Sequence, residues 1–427
     1  MTPRLALVSA YLRTRLLQRW LNSRSRIDRW QKPRLASLQR HAASHVAFYR
    51  EFRNGAFSDL PVIGKREVMD RFEDFNRLGL TASQIWAMID RGEAPAGYDV
   101  GCSTGTSGNQ GVYLISDEER FVWLGTMVAK ALPLSLLRPH RVAIVLPRTS
   151  RLYDAANESK LLKLLFVDLR LGLPSAAEAL AAFKPTVVVG PPKALRWFAE
   201  NDVAISPRLI FSSAEVLDPP DRQAIERRFD LKLREIYMAT EGLFGVSCKH
   251  GTLHLAEDVV HFEFEPVAGA ADLVVPIVTD FTRQAQVMAR YRMNDILRLD
   301  NKPCPCGSAL QAVSEVIGRR DDVFLLPNRD PAGSPVLLTP DVLRNAVLAP
   351  DRAIDDFRIR QTGENRIEVV LPVYVSRRVG ELVRDSVLRA CARVAALPIV
   401  DVQYEALRLR NDVKLRRVEN CWKPDVL

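Results

Sequence analysis

Four hydroxyl residues and two glycines occur together at positions 103–108, in the order Ser-Thr-Gly-Thr-Ser-Gly. Glycines let backbone N–H groups converge on one point, and Ser and Thr hydroxyls donate hydrogen bonds to phosphoryl oxygens. Residues 111–115 then alternate in the manner of a strand, so the stretch predicts a phosphate-binding loop, with an ordinary flexible loop as the alternative. It is not a Walker loop, because no Gly-Lys-Ser/Thr follows. The residues predicted to contact phosphate are Ser103, Thr104, Gly105, Thr106, Ser107 and Gly108.

Four further polar stretches follow this loop at wide intervals. Taken alone, each has an ordinary explanation as a loop, a turn, a salt-bridged strand end or a solvated charge run. The stretches are Ser212-Ser213-Ala214-Glu215, Tyr237-Met238-Ala239-Thr240-Glu241-Gly242, Arg290-Tyr291-Arg292-Met293-Asn294-Asp295 and Gly318-Arg319-Arg320-Asp321-Asp322.

The order and spacing of these five motifs resemble the adenylate-forming superfamily of acyl-CoA ligases and adenylation domains. Within it the likeness is to the phenylacetate–CoA ligase branch, which includes coenzyme F390 synthetase. The resemblance runs from roughly residue 55 to the C-terminus. It implies that a carboxylate attacks the α-phosphorus of ATP, giving an acyl-adenylate and pyrophosphate. A thiol, coenzyme A above all, would then take the acyl group.

The resemblance assigns a nucleotide site to matching residues. Ser213, Ala214 and Glu215 would line the adenine slot, and Tyr237 would stack on the base, since every base offers a π-face to an aromatic ring. Asp295 would accept hydrogen bonds from both ribose hydroxyls, because a carboxylate offers paired acceptors.

The remaining implied roles concern phosphate, metal and domain motion. Thr240 would hold phosphate, Glu241 would bind Mg²⁺ as a hard oxygen ligand, and Arg319 would reach the ribose or the phosphates. Asp321 would be the hinge to a small mobile C-terminal domain. Lys414 matches a C-terminal lysine that faces developing negative charge on the carboxylate and α-phosphate. A solvated basic tail is the alternative for this last stretch.

Two positions depart from the family pattern. Asn109 and Gln110 stand where the family usually continues with Lys-Pro, so a positive phosphate contact is missing. Val413 stands where the family has a glycine before the lysine. Both departures leave open a degenerate nucleotide-binding protein or a membrane-associated scaffold, and the likeness to F390 synthetase leaves open adenylylation of a non-carboxylate acceptor.

The cysteines suggest a separate metal site. Cys304 and Cys306 lie in a tight turn, and Cys248 lies about fifty residues upstream, followed by His250 and His254. Three sulfurs and one histidine in two turns suit a closed, tetrahedral structural Zn²⁺ site. The phenylacetate–CoA ligase branch has a similar Cys/Gly-Leu-His/Cys-x-Cys-Gly pattern, which makes His254 the fourth ligand and His250 its rival. Unrelated buried thiols are the alternative.

The elements that must position these residues follow an α/β pattern. Short β-branched runs alternate with helical patterns up to about residue 245, which predicts parallel strands, and antiparallel strands follow. The predicted helices are Asp117–Ala131, Ser159–Leu165, Lys193–Glu200, Arg222–Phe229 and Val379–Val394. The predicted strands are Val142–Leu146, Thr186–Gly190, Leu209–Ser212, Val259–Glu265, Leu273–Thr279, Val287–Tyr291, Ile296–Leu299, Arg366–Val373 and Val400–Glu405.

The predicted fold class is therefore α/β, with a large N-terminal adenylate-forming domain that combines parallel α/β sheets with a β-rich subregion, plus a small α+β C-terminal domain. The predicted divisions are a basic helical segment over residues 1–50, a large nucleotide- and substrate-binding domain over 51–320, and a small mobile domain over 321–427. An aromatic or medium-length acyl acid is the implied substrate, and Phe211, Phe244 and the region of Tyr153 are the predicted pocket walls.

Charge is concentrated at the N-terminus. Residues 1–40 hold ten Lys and Arg and one acid, Asp28, which alone accounts for the net charge of +9. Because the remainder is balanced, nucleic acid is not an expected partner. Leu5, Val8, Leu12 and Leu16 share one helical face. We expect that face to pack on the protein body, with contact at a membrane surface as the alternative.

Composition also indicates the cellular location to expect. Six cysteines in 427 residues do not suggest a secreted disulfide scaffold. No apolar run reaches the length of a membrane span, so we expect a cytoplasmic protein. The oligomeric state is not predicted, and a homodimer stays open.

Overall fold

The computed structural model describes residues 3–103, 111–132, 139–146, 162–268, 270–351, 354–407 and 414–422. Within these residues the chain alternates helices and strands, as the sequence predicts. The α-helices are α1 (Pro3–Trp20), α2 (Arg24–His45), α3 (Lys65–Asp70), α4 (Phe72–Phe75), α5 (Ala82–Arg91), α6 (Asp117–Ala131), α7 (Leu173–Phe183), α8 (Pro192–Glu200), α9 (Pro219–Phe229), α10 (Pro340–Leu348) and α11 (Arg377–Ala392).

The strands form one large sheet, two hairpins and one small sheet. Strands β1 and β2 form the first hairpin, β3 to β14 the large sheet, β15 and β16 the second hairpin, and β17 to β20 the small sheet. The bounds are β1 (Tyr98–Cys102), β2 (Val112–Ser116), β3 (His140–Leu146), β4 (Leu162–Asp168), β5 (Val187–Gly190), β6 (Leu209–Ser213), β7 (Arg234–Ala239), β8 (Gly242–Ser247), β9 (Leu253–Leu255), β10 (Val260–Val267), β11 (Ala270–Asp280), β12 (Tyr291–Arg292), β13 (Asp295–Asp300), β14 (Ala312–Arg319), β15 (Phe324–Leu326), β16 (Val336–Leu338), β17 (Arg358–Gly363), β18 (Arg366–Pro372), β19 (Ile399–Glu405) and β20 (Val418–Asn420).

The large sheet is mixed, with parallel pairing in one part and antiparallel pairing in the other. Its strand order is β4-β3-β5-β6-β7-β8-β9-β14-β13-β11-β10, and β12 pairs with β11. Strands β4 to β7 in that order are parallel, and the pairs from β7–β8 onward are antiparallel. The carboxyl ends of the parallel strands therefore meet at one edge, where ligands bind in open α/β sheets.

Helix α6 covers one face of the parallel strands, and local sequence explains where it begins. The Ser116 hydroxyl accepts a hydrogen bond from Glu119 N at 3.3 Å, and the Glu119 carboxylate accepts one from Ser116 N at 2.6 Å. This reciprocal pair is a capping box, and the acids Asp117 and Glu118 in the first turn favour the positive end of the helix dipole. Strand β2 thus leads directly into α6, as the predicted helix bounds require.

The C-terminal part of the chain has its own core. We use the name C-terminal subdomain for residues 323–422, whose four-stranded sheet has the order β19-β18-β17-β20. Buried side chains such as Phe324, Phe357, Ile359 and Val383 form its interior, together with α10 and α11. The sheet mixes parallel and antiparallel pairs and fits the predicted α+β unit. The division predicted at residue 320 stays a prediction.

Two predicted elements are wrong. The leucine-rich run predicted as a helix over Ser159–Leu165 is, from Leu162 onward, strand β4, which pairs in parallel with β3. Leucine favours helices, but pairing at a sheet edge overrides a propensity of this size. The strand predicted over Val287–Tyr291 is reduced to β12, because Arg290 has φ +48° and interrupts the extended backbone just before it.

The predicted packing of α1 is also wrong in its orientation. The helix does pack on α6, but through Ala6, Ala10 and Thr14 rather than through the predicted leucine face. A Cβ on Gly125 of α6 would lie 2.3 Å from the Leu7 carbonyl oxygen, so the glycine permits this close approach. Small residues on the contact face let the helices approach, while the larger leucines point away.

Candidate active site and metal site

A cavity of about 590 Å³ opens at the carboxyl edge of the parallel strands. Its inner wall is apolar and includes Trp123 and Met127 of α6, Ile144 of β3, Val189 of β5 and Phe211 of β6. The lining also contains polar and charged residues, among them Lys193, Ser213, Glu215, Thr240, Asp280 and Lys414, with Ala214 between Ser213 and Glu215. The cavity thus joins an apolar interior to a polar, charged region, as expected of a ligand pocket.

Lys193 and Glu215 form a buried ion pair in this polar region. Lys193 follows β5 and Glu215 follows β6, so adjacent parallel strands deliver both side chains to the same edge. Lys193 Nζ lies 3.2 Å from Glu215 Oε1, and both side chains are almost fully buried. Burial raises the pKa of Glu215, against the opposing charges of Lys193 and Lys414. Glu215 Oε2 is buried and has no hydrogen-bond partner among the described residues.

Lys414 enters the cavity from the C-terminal subdomain. The next residue, Leu415, donates its backbone N–H to Glu215 Oε1 at 3.0 Å, which ties this segment to the large sheet. Burial lowers the pKa of Lys414, and repulsion from Arg319 adds to this, whereas the carboxylates of Asp295, Glu215 and Glu241 raise it. The lysine therefore faces three acids from three different predicted motifs.

Thr240 and Glu241 lie in the turn between β7 and β8. Glu241 Oε1 accepts a hydrogen bond from the Tyr291 hydroxyl at 3.0 Å, which orients the carboxylate. Both residues also line a small notch with Ser103 and Gly111. Ser103, the first residue of the predicted phosphate loop, and the predicted Mg²⁺ ligand thus lie on the same notch.

The base of the predicted phosphate loop is closed. Ser103 N donates to Gly111 O at 2.7 Å, and Gly111 N donates to Ser103 Oγ at 2.9 Å. These two bonds continue the β1–β2 hairpin to the point where the loop begins. Residues 104–110 lie outside the described residues, as do Val413 and Tyr153.

Lys65 lies beside Gly111 and was not predicted as a site residue. It begins α3 and lines the same notch, and a Cβ on Gly111 would lie 3.0 Å from Lys65 Cε. Burial lowers the pKa of Lys65, and the carboxylate of Glu241 opposes that effect. A lysine distant in sequence thus lies on the notch that Ser103 and Gly111 also line.

Tyr237, Asp295 and Arg319 form a cluster beside the cavity. The Tyr237 hydroxyl donates to Asp295 Oδ2 at 2.9 Å, while the Tyr237 ring is buried against Phe244. Asp295 and Arg319 are paired across β13 and β14. Burial raises the pKa of Asp295, and Arg319 opposes this. Phe211 and Phe244 are the two predicted pocket-wall residues that the structure describes. Phe211 lines the cavity, whereas Phe244 is buried in the core beside Tyr237, so the prediction for Phe244 is wrong.

The two parts of the chain also meet through a group of buried charges, which we call the bridging cluster: Asp218, Asp221, Arg344 and Arg417. Arg417 Nη1 lies 2.9 Å from Asp221 Oδ2, and Arg344 Nη1 lies 3.2 Å from Asp218 Oδ1. Both acids come from the large sheet side and both arginines from the C-terminal subdomain. The neighbouring acids raise the pKa of Arg417 despite its burial.

Asp321, the predicted hinge, accepts a hydrogen bond from Asn294 Nδ2 at 2.7 Å.

The four predicted metal ligands lie together. One ligand atom from each of Cys248, His254, Cys304 and Cys306 lies within 4.8 Å of the others. Cys248 Sγ and Cys304 Sγ are 3.7 Å apart, and Cys306 Sγ is 3.3 Å from His254 Nε2. His250 is exposed and is not part of this group.

The surroundings of this cluster suit a metal. His254 Nδ1 lies 3.1 Å from the Leu310 carbonyl oxygen, so a proton on Nδ1 leaves Nε2 free to bind a metal. The backbone N–H of His250 donates to Cys248 Sγ at 3.4 Å, which would stabilise a thiolate. Three sulfurs and one imidazole nitrogen are the donor set of a structural Zn²⁺ site.

Comparison with known proteins gives one distant sequence relative and many structural ones. No protein-family model matches the chain. Protein CapK of Staphylococcus aureus is 29% identical over 131 residues, which span 30% of this chain and only 29% of that protein. The anthranilate CoA ligase AuaEII in complex with anthranoyl-AMP has a TM-score of 0.52 at 12% identity, over 74% of this chain and 65% of that one.

The 2-hydroxyisobutyryl-CoA ligase aligns over most of both chains. In the postadenylation state, in complex with R3-HIB-AMP, it has a TM-score of 0.69 at 17% identity, over 94% of this chain and 91% of that one. In the thioesterification state the TM-score is 0.56 over the same shares of the two chains. The chain therefore shares the fold of these CoA ligases, which agrees with the predicted fold class. Membership of the adenylate-forming superfamily stays a prediction. The phenylacetate–CoA ligase branch stays a prediction.

Proposed function

We propose that this chain activates a carboxylic acid with ATP, forming an acyl-adenylate and pyrophosphate, and then transfers the acyl group to coenzyme A. One observation carries the proposal: Lys414 lies in the wall of the cavity that also holds Glu215 and Thr240, and it faces the charges of Asp295 and Glu241. Motifs almost two hundred residues apart in sequence thus supply one site with a cation and several hydrogen-bonding groups.

In the first half-reaction a carboxylate oxygen of the acid attacks the α-phosphorus of ATP. The bond from that phosphorus to the oxygen bridging to the β-phosphorus breaks, and pyrophosphate leaves with the electron pair. Lys414, protonated, stabilises the negative charge shared by the carboxylate and the α-phosphate in this step. The nearby carboxylates of Asp295, Glu215 and Glu241 favour its protonated form, and its position in the cavity wall places the cation before the reaction.

ATP would lie along the polar side of the cavity. Ser103 and the loop that begins there would surround the phosphates with Thr240, and Lys65 would supply the positive charge that the loop lacks. Glu241, oriented by Tyr291, would hold Mg²⁺, which neutralises phosphate charge when bound. These groups share one notch, which supports a common phosphate site.

The nucleoside would lie on the side of Ser213, Ala214 and Asp295. Glu215 Oε2, buried and without a described partner, could accept a hydrogen bond from the amino group of adenine. Tyr237 is too enclosed for its whole face to meet the base, so we assign it the orientation of Asp295 through its hydroxyl. Asp295 would accept the ribose hydroxyls, with Arg319 close by.

The acyl part of the substrate would enter the apolar interior of the cavity. Its wall of Trp123, Met127, Ile144, Val189 and Phe211 offers no charge to a substrate tail. An acid with an extended or aromatic apolar group fits this lining better than a small polar acid, because transfer of apolar surface from water drives its burial. We therefore propose an apolar acyl acid as the substrate class.

In the second half-reaction the thiol sulfur of coenzyme A attacks the acyl carbonyl carbon, and AMP leaves. The C-terminal subdomain is observed with Lys414 at the cavity, as the first half-reaction needs. The higher TM-score with the postadenylation state, 0.69 against 0.56 for the thioesterification state, supports this as the adenylation orientation. Rotation about Asp321 would withdraw Lys414 and open the acyl carbon to the thiol. The bridging cluster must separate during that rotation.

The Cys/His cluster has a separate role in this proposal. Cys248, His254, Cys304 and Cys306 would hold one Zn²⁺, joining the β8–β9 hairpin to the turn after β13. Four protein ligands leave no open position for substrate, so the ion would stabilise the fold.

Pyrophosphate release with a panel of acids, with and without coenzyme A, tests the function. We expect release that depends on an apolar acid and a thioester product that requires coenzyme A. Pyrophosphate release without any acid but with another acceptor would favour adenylylation of a non-carboxylate group, and no release with any acceptor would favour a non-catalytic protein.

A further inference from the structure

Helix α1 presents two different apolar faces. One face, with Ala6, Ala10 and Leu17, is buried on the protein body. The opposite face carries an exposed stripe of four residues, and it contains large side chains that protein interiors usually take up. We call it the α1 stripe: Leu5 is 59% exposed, Val8 41%, Leu12 49% and Leu16 67%.

Arginines border the α1 stripe on both sides. At the pitch of an α-helix the four stripe residues span about 80° of the helix surface, and Arg13 and Arg15 fall beyond its opposite edges. Arg19 and Trp20 are exposed at the end of the helix, and Trp20 packs edge-on against Trp30 of α2. An apolar stripe between cations, with tryptophan at one end, has the composition of a helix that lies at a bilayer surface.

A second basic feature lies next to the stripe. A cleft of about 130 Å³ between α1 and α2 is lined by Arg13, Arg34, His41 and Asp258, among others. The Arg34 guanidinium lies 3.0 Å from the Trp30 ring centroid, so the indole holds it in place. Burial lowers the pKa of Arg34, and repulsion from Arg13 adds to this.

The one acid in the cleft lining does not cancel these charges. Asp258 is buried and already pairs with the buried Lys130, whose Nζ lies 2.6 Å from its Oδ1. Arg13 and Arg34 therefore face the cleft without a matched acid from its described walls. An anion placed there would relieve their mutual repulsion.

We propose that the α1 stripe and the adjoining Arg13–Arg34 cleft dock this chain on the surface of an anionic lipid bilayer. The leucines would enter the boundary between headgroups and acyl chains, and the arginines would contact anionic headgroups. Among the described helices, none has the length and apolarity needed to cross a membrane.

The positive charge of the N-terminal segment favours an anionic bilayer over a second copy of the chain. Residues 1–40 carry ten basic residues and one acid, and a second copy of the chain would bring the same positive surface against itself. An anionic bilayer offers both the apolar layer and the opposite charge. This proposal does not depend on the ligase activity, because none of its residues belongs to the proposed catalytic or nucleotide-binding groups.

Co-sedimentation with vesicles tests the proposal on the full chain. Vesicles of phosphatidylcholine are compared with vesicles that also contain phosphatidylserine, over a range of NaCl concentrations. We expect binding to the anionic vesicles that weakens as salt screens the arginines. The double variant Leu12→Glu, Leu16→Glu should weaken binding by about tenfold or more, because two leucines no longer enter the apolar layer.

The matched control adds the same two charges on another surface. Leu171 and Leu397 are 73% and 51% exposed, and Leu171→Glu with Leu397→Glu should leave vesicle binding unchanged. Both pairs replace exposed leucines, so neither should unfold the protein, which circular dichroism checks. Absence of binding to anionic vesicles would overturn the proposal. So would equal binding by both double variants, or a dimer in light scattering that Leu12→Glu and Leu16→Glu dissociate.

Discussion

The backbone N–H of Leu415 donates a hydrogen bond to Glu215 Oε1 at 3.0 Å, across 200 residues of sequence. The same carboxylate oxygen lies 3.2 Å from Lys193 Nζ. Glu215 therefore fixes the segment that carries Lys414 against the cavity. This contact, together with the bridging cluster, links the orientation of the C-terminal subdomain to the presence of Lys414 in the cavity.

The bridging cluster should favour adenylation over thioester formation. Asp221→Asn removes one charge that faces Arg417 and weakens the observed orientation. We expect the adenylation half-reaction to slow by about tenfold, the effect of roughly 1.4 kcal/mol on the orientational equilibrium. Thioester formation from a preformed acyl-adenylate should change less. The control is Asp202→Asn, because Asp202 is an exposed acid that forms an ion pair with Arg228 outside the cluster. An equal loss in both half-reactions of Asp221→Asn would contradict the role of the cluster.

Lys65 should contribute to ATP binding. Lys65→Met removes the cation from the notch with Ser103 and Glu241, and we expect the KM for ATP to rise about tenfold or more, the scale of a lost charge-assisted hydrogen bond. The neighbouring Arg66 is a matched control, since its side chain is 93% exposed and pairs with Asp70. An Arg66→Met variant with the same defect would argue that the helix, rather than the Lys65 charge, matters.

The zinc content of two variants distinguishes His254, the predicted fourth ligand, from its rival His250. We expect about one zinc per chain in anaerobically purified protein. His254→Ala should lose zinc and thermal stability, whereas His250→Ala should keep both, since His250 is exposed outside the cluster. Zinc-free wild-type protein, or zinc loss on His250→Ala alone, would refute the assignment.

Asp280 should make stability depend on pH. Burial raises its pKa from 3.8 to about 6, so the folded state holds the proton more tightly than the unfolded state. The resulting stabilisation is fully present below about pH 4 and is lost as the pH rises through about 6. Asp280→Asn should therefore gain stability relative to wild type over that interval, by at most about 3 kcal/mol.

Urea unfolding of both proteins at a series of pH values measures this difference. The exposed Asp385→Asn variant controls for a general change in charge. A constant difference between wild type and Asp280→Asn across the interval would mean that Asp280 does not titrate there.

Local signals in the sequence were sufficient for many elements. The bounds of α6 follow from its capping box, and the parallel strands β3, β5 and β6 follow from short β-branched runs between helical patterns. Cys248, Cys304 and Cys306 stand out in the sequence as possible metal ligands, but His254 is preferred to His250 only because of the family resemblance. The helix and strand signals, in contrast, depend on residues close together in the chain.

Features that depend on distant contacts could not be predicted. Nothing near Leu162–Asp168 reveals its pairing with β3, so its leucines suggested a helix. Lys65 and Lys193 are single lysines beside strands or helices, and only the fold brings them to Glu241 and Glu215. The small residues of α1 form its contact face because Gly125 admits them, a complementarity that periodicity alone does not contain.

The central claim is tested most directly by the two half-reactions of Lys414→Ala. With an acid found to support pyrophosphate release by the wild-type protein, the variant should form acyl-adenylate about 10²-fold more slowly or worse, the scale of a lost electrostatic stabiliser. It should still convert preformed acyl-adenylate and coenzyme A to thioester at close to the wild-type rate. Undiminished acid-dependent pyrophosphate release by Lys414→Ala, or an equal loss in both half-reactions, would contradict the assignment of Lys414 to adenylation.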